Sequence, residues 1–365
     1  MSKLIVNLNT NTHDEKSRTS AKTAFLWNPT LSSGVGMLML LGFFTFVFGS
    51  TLFLVEKTSG GVLAHEGEKN TASITANALV GVEEYENPVE IILYKDPFEF
   101  IEIEGEAACV FDTVTGEMLY EKNKNMILPL ASVTKVMMAL TARSVMDEYD
   151  VVVIRPEDIF LEGSSGFITG EEWSFGDLLD FTLMTSSNDG ASAIAAAAGA
   201  VYKARSIPST DMSAKEIFVE KMNEMAREIG MTNTTYNNET GLDITNSISG
   251  GHGTVYDMSL LYEYILRTYP DLLDATKRSH LEIVSLDNIL HIAENTNQSV
   301  AAFSGIMGSK TGYTDLAGGN LAIVFDSGLA TPVIVAVFGS SLEGRFEDVA
   351  VLSEAALEAV SQDLF

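Results

Sequence analysis

The sequence predicts an α+β domain, an antiparallel sheet flanked by helices with a helical insert, preceded by one transmembrane helix. Three observations carry this. Short β-prone runs joined by turns stand at the two ends of the C-terminal part, helical spacing fills the middle, and an uncharged apolar run lies far upstream of both.

Residues 1–34 are rich in Thr, Asn and Ser and read as a polar cytoplasmic tail. Val35 to Val55 then runs without one charge, through Met37-Leu38-Met39-Leu40-Leu41 and Phe43-Phe44-Thr45-Phe46-Val47-Phe48. A helix that crosses a bilayer core needs about 20 such residues. Lys3, Lys16, Arg18 and Lys22 precede the run against Asp14 and Glu15, and only Lys57 follows closely. That asymmetry puts the N-terminus in the cytoplasm and residues 56–365 outside the cell membrane. A cleaved signal peptide would show a shorter apolar core followed at once by a small-x-small site, so an uncleaved anchor over 35–55 is expected. Residues 56–96, with Pro88 and the acids Glu83, Glu84, Glu86 and Glu90, read as an acidic linker.

From Pro97 the pattern becomes that of a folded domain, 97–365. Glu106–Asp112 and Glu117–Glu121 flank Thr115-Gly116 as a β-hairpin. A helix is predicted from near Ser132 through Val136, Ala139 and Leu140. Another has Ser213 as N-cap, Glu216 as its capping-box partner and Gly230 as its stop. Leu321–Phe325 and Pro332–Phe338 read as strands joined by a turn, and Glu347–Val360 as a closing helix.

A net charge of −28 excludes a nucleic-acid partner, because a duplex needs a basic footprint, and excludes a polybasic grip on lipid. Cys109 is the only cysteine, so no internal disulfide forms, and its apolar neighbours mark it as a core residue. One cysteine and five scattered histidines, with no His-Glu-x-x-His pattern, point away from a metal site. No metal and no cofactor is expected.

Three short motifs carry the chemistry. In Ser132-Val133-Thr134-Lys135, helical spacing puts the lysine amine within reach of the serine hydroxyl. Serine is a poor nucleophile until a neighbouring base takes its proton, and a lysine does this once its pKa is depressed. At a helix start, the Ser132 N–H also faces a developing oxyanion. In Ser186-Ser187-Asn188, Ser186 is a candidate proton relay, and Asn188 a candidate either to bond a substrate amide or to fix Lys135. In Lys310-Thr311-Gly312, placed on a strand, the lysine and threonine suit a carboxylate and the glycine lets a substrate backbone approach. The first two patterns each arise about once in a chain of this length at ordinary residue usage. Their order and context carry more weight than any one alone.

The set Ser-x-x-Lys, Ser-x-Asn, Lys-Thr-Gly resembles that of the penicillin-recognising serine enzymes. Within them the chain is most similar to the low-molecular-weight D-alanyl-D-alanine carboxypeptidases of peptidase family S11. The likeness rests on Phe111-Asp112 with Thr115-Gly116-Glu117 through Asn123, on Leu128-Pro129-Leu130-Ala131-Ser132, and on Asn238-Glu239-Thr240-Gly241-Leu242-Asp243. His252, Asp257, Asn295-Thr296-Asn297 and Gly308-Ser309-Lys310-Thr311-Gly312-Tyr313-Thr314 extend it. It implies a β-lactamase/transpeptidase-like fold. It further implies Ser132 as nucleophile, Lys135 as base, Ser186 in proton transfer and Asn188 in binding a substrate amide. Lys310 and Thr311 would hold the terminal carboxylate, beside Gly312, and the N–H groups of Ser132 and Tyr313 would form the oxyanion hole. The implied partners are a peptidoglycan stem peptide ending in D-Ala-D-Ala and, as covalent inhibitors, β-lactams.

Two departures stand out. The middle motif has Ser187 where the family commonly has Gly, so its side chain is expected to narrow the cleft. The family's C-terminal β-domain and membrane-lying tail helix have no counterpart before Phe365, so the N-terminal anchor is expected to replace that tail. The rival readings are a β-lactamase, for which Glu239 would be the extra carboxylate, and a non-catalytic β-lactam sensor or wall-binding scaffold. Glu239 fits the Asn-x-x-Gly-Leu pattern of the carboxypeptidases better.

Overall fold

The computed structural model describes residues 96–363, apart from 160–161, 164, 206–210 and 329. The expected polar tail and anchor, and the linker up to residue 95, lie outside the described residues. Among the described residues no helix is long and apolar enough to cross a membrane.

In chain order the elements begin with β1 (Ala107–Asp112) and β2 (Met118–Lys122), the predicted hairpin. There follow β3 (Leu128–Pro129), a 3-10 turn at Ala131–Val133, α1 (Thr134–Arg143), β4 (Val151–Val153), β5 (Glu172–Ser174), α2 (Phe175–Thr185) and α3 (Asn188–Arg205). Next come α4 (Ala214–Ile229), β6 (Thr235–Tyr236), β7 (Gly251–Gly253), α5 (Val255–Thr268), β8 (His280–Val284) and β9 (Leu290–Glu294). The chain closes with β10 (Ile306–Thr314), β11 (Gly318–Asp326), β12 (Pro332–Ser340) and α6 (Gly344–Asp363). The α-helix expected to start near Ser132 starts at Thr134, because the three residues before it wind as the tighter 3-10 turn.

The main sheet runs β10-β11-β12-β1-β2, antiparallel at every pairing, so strands from both chain ends meet in one layer. Period-2 alternation sorts its side chains into two cores. Ala108, Val110, Leu321, Ile323, Val335 and Val337 pack against Val349, Leu352 and Ala356 of α6. Cys109, Phe111, Ala322, Val324, Ala336 and Phe338 face the helical insert on the other side. Each Val or Leu so buried stabilises the fold by about 1.5–3 kcal/mol relative to exposure. Inside the insert, α1 is buried from Thr134 to Ala142 and forms its centre.

Helix α4 has the predicted capping box between Ser213 and Glu216 and ends at Gly230, with φ at 95°. The small sheets β4-β5, β3-β7-β6 and β8-β9 were not foreseen. Most of their strands have two or three residues, too few for a periodic signal.

Candidate active site

The turn that carries Ser132 is held from several directions. β3 pairs with β7, and the Leu130 N–H donates to the Gly251 carbonyl at 2.9 Å. From β11, the fully buried Asn320 donates its amide to the carbonyls of Pro129 (2.9 Å) and Leu130 (3.1 Å). Ala131 takes a left-handed φ of 47°, a conformation that costs about 1–3 kcal/mol for a residue with a Cβ. Two glycines press on the same turn. A Cβ at Gly312 would sit 3.2 Å from the Ser132 nitrogen, and one at Gly241 would sit 1.8 Å from the Ala131 carbonyl oxygen.

One turn further on, Lys135 is buried completely. Its Nζ lies 2.9 Å from Ser132 Oγ, 2.7 Å from Asn188 Oδ1 and 2.8 Å from the Thr240 carbonyl oxygen. Burial pushes its pKa down from 10.5 to about 7, while the Glu239 carboxylate pulls the other way. A neutral amine has two N–H donors and one lone pair. When neutral, the amine gives its N–H groups to Asn188 and Thr240 and has its lone pair left for the Ser132 hydroxyl; when protonated, it donates its third hydrogen to Ser132 Oγ. The Thr240 carbonyl is aimed by Asn238, whose Oδ1 accepts from the Thr240 and Gly241 N–H groups and whose amide donates to Leu242.

Ser186 closes α2 in the left-handed conformation, φ 60°, with its N–H donating to Thr182. Its hydroxyl accepts from Lys310 Nζ at 2.9 Å, and that ammonium also donates to the Thr311 carbonyl at 2.9 Å. Lys310 is only 1% exposed, which rules out a solvated surface lysine. Burial holds its pKa well below the ordinary value, with Lys135 and Arg345 adding to the effect. Asn188 opens α3, accepts from Lys135 Nζ through its Oδ1 and donates its Nδ2 to the Glu162 carbonyl at 2.7 Å. Thr311 shares a 2.6 Å hydroxyl–hydroxyl bond with Thr296, and Tyr313 stands half exposed at the end of the same strand.

The fold thus brings Ser132, Lys135, Ser186, Asn188, Lys310, Thr311 and Gly312 together where β10 meets the insert, with Tyr313 next along the strand. The expectation for Ser187 is corrected. Its side chain, 4% exposed, turns inward to accept from the Gly190 N–H at 2.9 Å and to meet Ser165 Oγ at 2.5 Å. It therefore ties Ser165 to the start of α3. Sequence reasoning assigned no task to Asn238, Thr240 or Thr296, although the resemblance quoted all three. It missed Asn320 and Arg345, which have no local signal.

A serine paired with a buried, weakened lysine, set in an α+β frame of this topology, is the architecture of the penicillin-recognising serine proteins. The Peptidase S11 family model, D-alanyl-D-alanine carboxypeptidase, matches residues 94–341. The D-alanyl-D-alanine carboxypeptidase DacF of Bacillus subtilis is 29% identical over 253 residues, 65% of this chain and 58% of that protein. A D-alanyl-D-alanine endopeptidase of Pseudomonas aeruginosa is 30% identical over 223 residues, 60% of this chain and 66% of its own length. The ampicillin-bound penicillin-binding protein D2 of Listeria monocytogenes superposes with a TM-score of 0.58 at 26% identity, over 70% of this chain and 98% of that one. The chain belongs to the peptidase S11 family.

Proposed function

We propose that the protein is a serine D-alanyl-D-alanine carboxypeptidase that removes the terminal D-Ala of peptidoglycan stem peptides through an acyl-enzyme on Ser132. The observation that carries this is the 2.9 Å Ser132–Lys135 pair, with the lysine pKa brought down to about 7. A peptide carboxylate docked on Lys310 and Thr311 lays the penultimate carbonyl over Ser132. Lys135 takes the hydroxyl proton as Oγ attacks. The oxyanion is received by the N–H groups of Ser132 and Tyr313, one such donor being worth about 3 kcal/mol of barrier. Ser186, bonded to Lys310, passes a proton to the departing D-Ala amine, and water then releases the acyl group. A β-lactam enters by the same route and leaves an ester on Ser132.

The same proposal includes the setting. Residues 35–55 anchor the chain in the cell membrane, the 1–34 tail lies in the cytoplasm, and the 56–96 linker carries the 97–365 domain outside. The support is the uncharged Val35–Val55 run with basic residues before it.

The test uses the full chain in detergent micelles and a peptide ending in D-Ala-D-Ala, with an L-Ala terminus as control. D-Ala release from the first peptide alone, with a penicillin adduct mapped to Ser132, is the expected result. A lasting adduct without peptide turnover would give the protein to the sensor reading, and rapid clearance of penicillin to the β-lactamase reading.

A further inference from the structure

Arg345, the second residue of α6, lies outside all three motifs and yet reaches the reactive strand. It is 7% exposed, and its Nη1 donates to the Gly312 carbonyl at 2.8 Å. Its Nε is buried with no hydrogen-bond partner, and its guanidinium lies 4.7 Å from the centre of the Phe346 ring. Among the described residues no carboxylate forms an ion pair with it. The Glu343 carboxylate favours its charge only from beyond ion-pair distance, and burial outweighs it, so a cation held here opposes folding and the position calls for another use.

The use is visible in the peptide unit it grips. The Gly312 carbonyl and the Tyr313 N–H belong to one planar trans amide, so they point in opposite directions. β10 is an edge strand, paired with β11 on one flank and open on the other. Holding the carbonyl from α6 aims the N–H away from α6. A charged donor on a carbonyl also polarises the amide, which strengthens its N–H as a donor. Gly312 itself packs against the Ser132 turn, so a small rotation of this peptide moves the N–H relative to Ser132.

We propose that Arg345 is a positioning residue for the oxyanion site: through the Gly312 carbonyl it fixes and polarises the Tyr313 N–H that receives the developing negative charge. This rests on the reading of Ser132 as nucleophile. Arg345 hydrogen-bonds neither the serine nor the base, so its effect falls chiefly on acylation; its charge also bears on Lys310, and the Lys variant, which keeps the charge, separates the two effects.

The experiment compares the full-length protein with Arg345→Met and Arg345→Lys by rapid mixing with benzylpenicillin, which separates the non-covalent dissociation constant from the acylation rate constant. Losing one oxyanion donor outright costs about 100- to 1,000-fold, so loosening one should slow acylation about 10- to 50-fold in the Met variant, with the dissociation constant within about twofold. The Lys variant keeps the charge without the planar fork and should lie between, about 3- to 10-fold slow. Hydrogen exchange by mass spectrometry should rise in a peptide covering 310–316 of the Met variant and stay unchanged elsewhere. A weakened dissociation constant with intact acylation would overturn the proposal and make Arg345 a carboxylate ligand, and unchanged constants in both variants would overturn it equally. If the Met variant does not fold, the Lys variant decides, since an unchanged acylation rate there is the same refutation. Failure of the unaltered protein to acylate at Ser132 refutes the proposed function itself, whereas acylation insensitive to residue 345 refutes only this inference.

Discussion

With Ser132 as the proposed nucleophile and Lys135 as its base, burial of Lys135 should set the pH at which acylation begins. The drop from 10.5 to about 7 corresponds to about 5 kcal/mol between the two protonation states. A lysine titrating at 10.5 is neutral in only about one molecule in 3,000 at pH 7, whereas one titrating at about 7 is neutral in about half. The neutral fraction then goes from about one tenth at pH 6 to about nine tenths at pH 8. The second-order rate constant for acylation by a fluorescent penicillin should therefore rise about tenfold over that interval and level off above it. Glu239 provides the perturbation. Its carboxylate favours the protonated lysine, so Glu239→Gln should move the rising limb to lower pH and raise the pH 6 rate relative to the pH 8 rate. The same shift affects stability. Between pH 7 and 10.5 the unfolded chain holds a proton on Lys135 that the folded chain lacks, so this lysine's contribution improves as pH rises and its cost is full below pH 7. The unfolding free energy of the unaltered protein relative to Lys135→Met should thus climb by about 1.4 kcal/mol per pH unit between about pH 7.5 and 9.5. A rate constant flat from pH 5 to 9, or a limb that Glu239→Gln moves upward, would refute the reasoning.

Other parts of the structure make separate demands. Gly241→Ala places a Cβ 1.8 Å from the Ala131 carbonyl oxygen at a φ of 81°, so urea titration should show a loss of about 2–4 kcal/mol together with slower acylation. Ser187→Gly removes two hydrogen bonds, to Ser165 and from Gly190, neither of which involves Ser132 or Lys135. It should cost about 1–2 kcal/mol in thermal unfolding while the acylation rate constant stays within about threefold. Cys109 is fully buried, with its thiol pushed up to about 12 by desolvation. A chromogenic disulfide reagent should leave it untouched in the native protein and titrate one thiol in guanidinium, and rapid native labelling would show that the β1 face is open.

The pattern of residues along the chain was enough for the frame. The short apolar, β-prone runs at 106–112, 321–325 and 332–338, the Ser213–Glu216 capping box and the Gly230 stop are local signals, since each depends on a few neighbouring residues, and an element formed at each. Ser132 and Lys135 were legible for the same reason, because three residues on one winding chain share a face. The rest of the centre is built from contacts that no local period encodes. Asn188 reaches Lys135 across 53 residues, Thr240 across 105, and Lys310 reaches Ser186 across 124. The inward turn of Ser187 came from two partners that only packing supplied, Gly190 on α3 and Ser165 on the adjoining loop. The depressed pKa of Lys135 is the clearest case. Lysine as a residue type brings a pKa of 10.5, and the whole insert closing around its amine brings the value near 7, because the cost of the charge depends on how much water the surrounding fold removes.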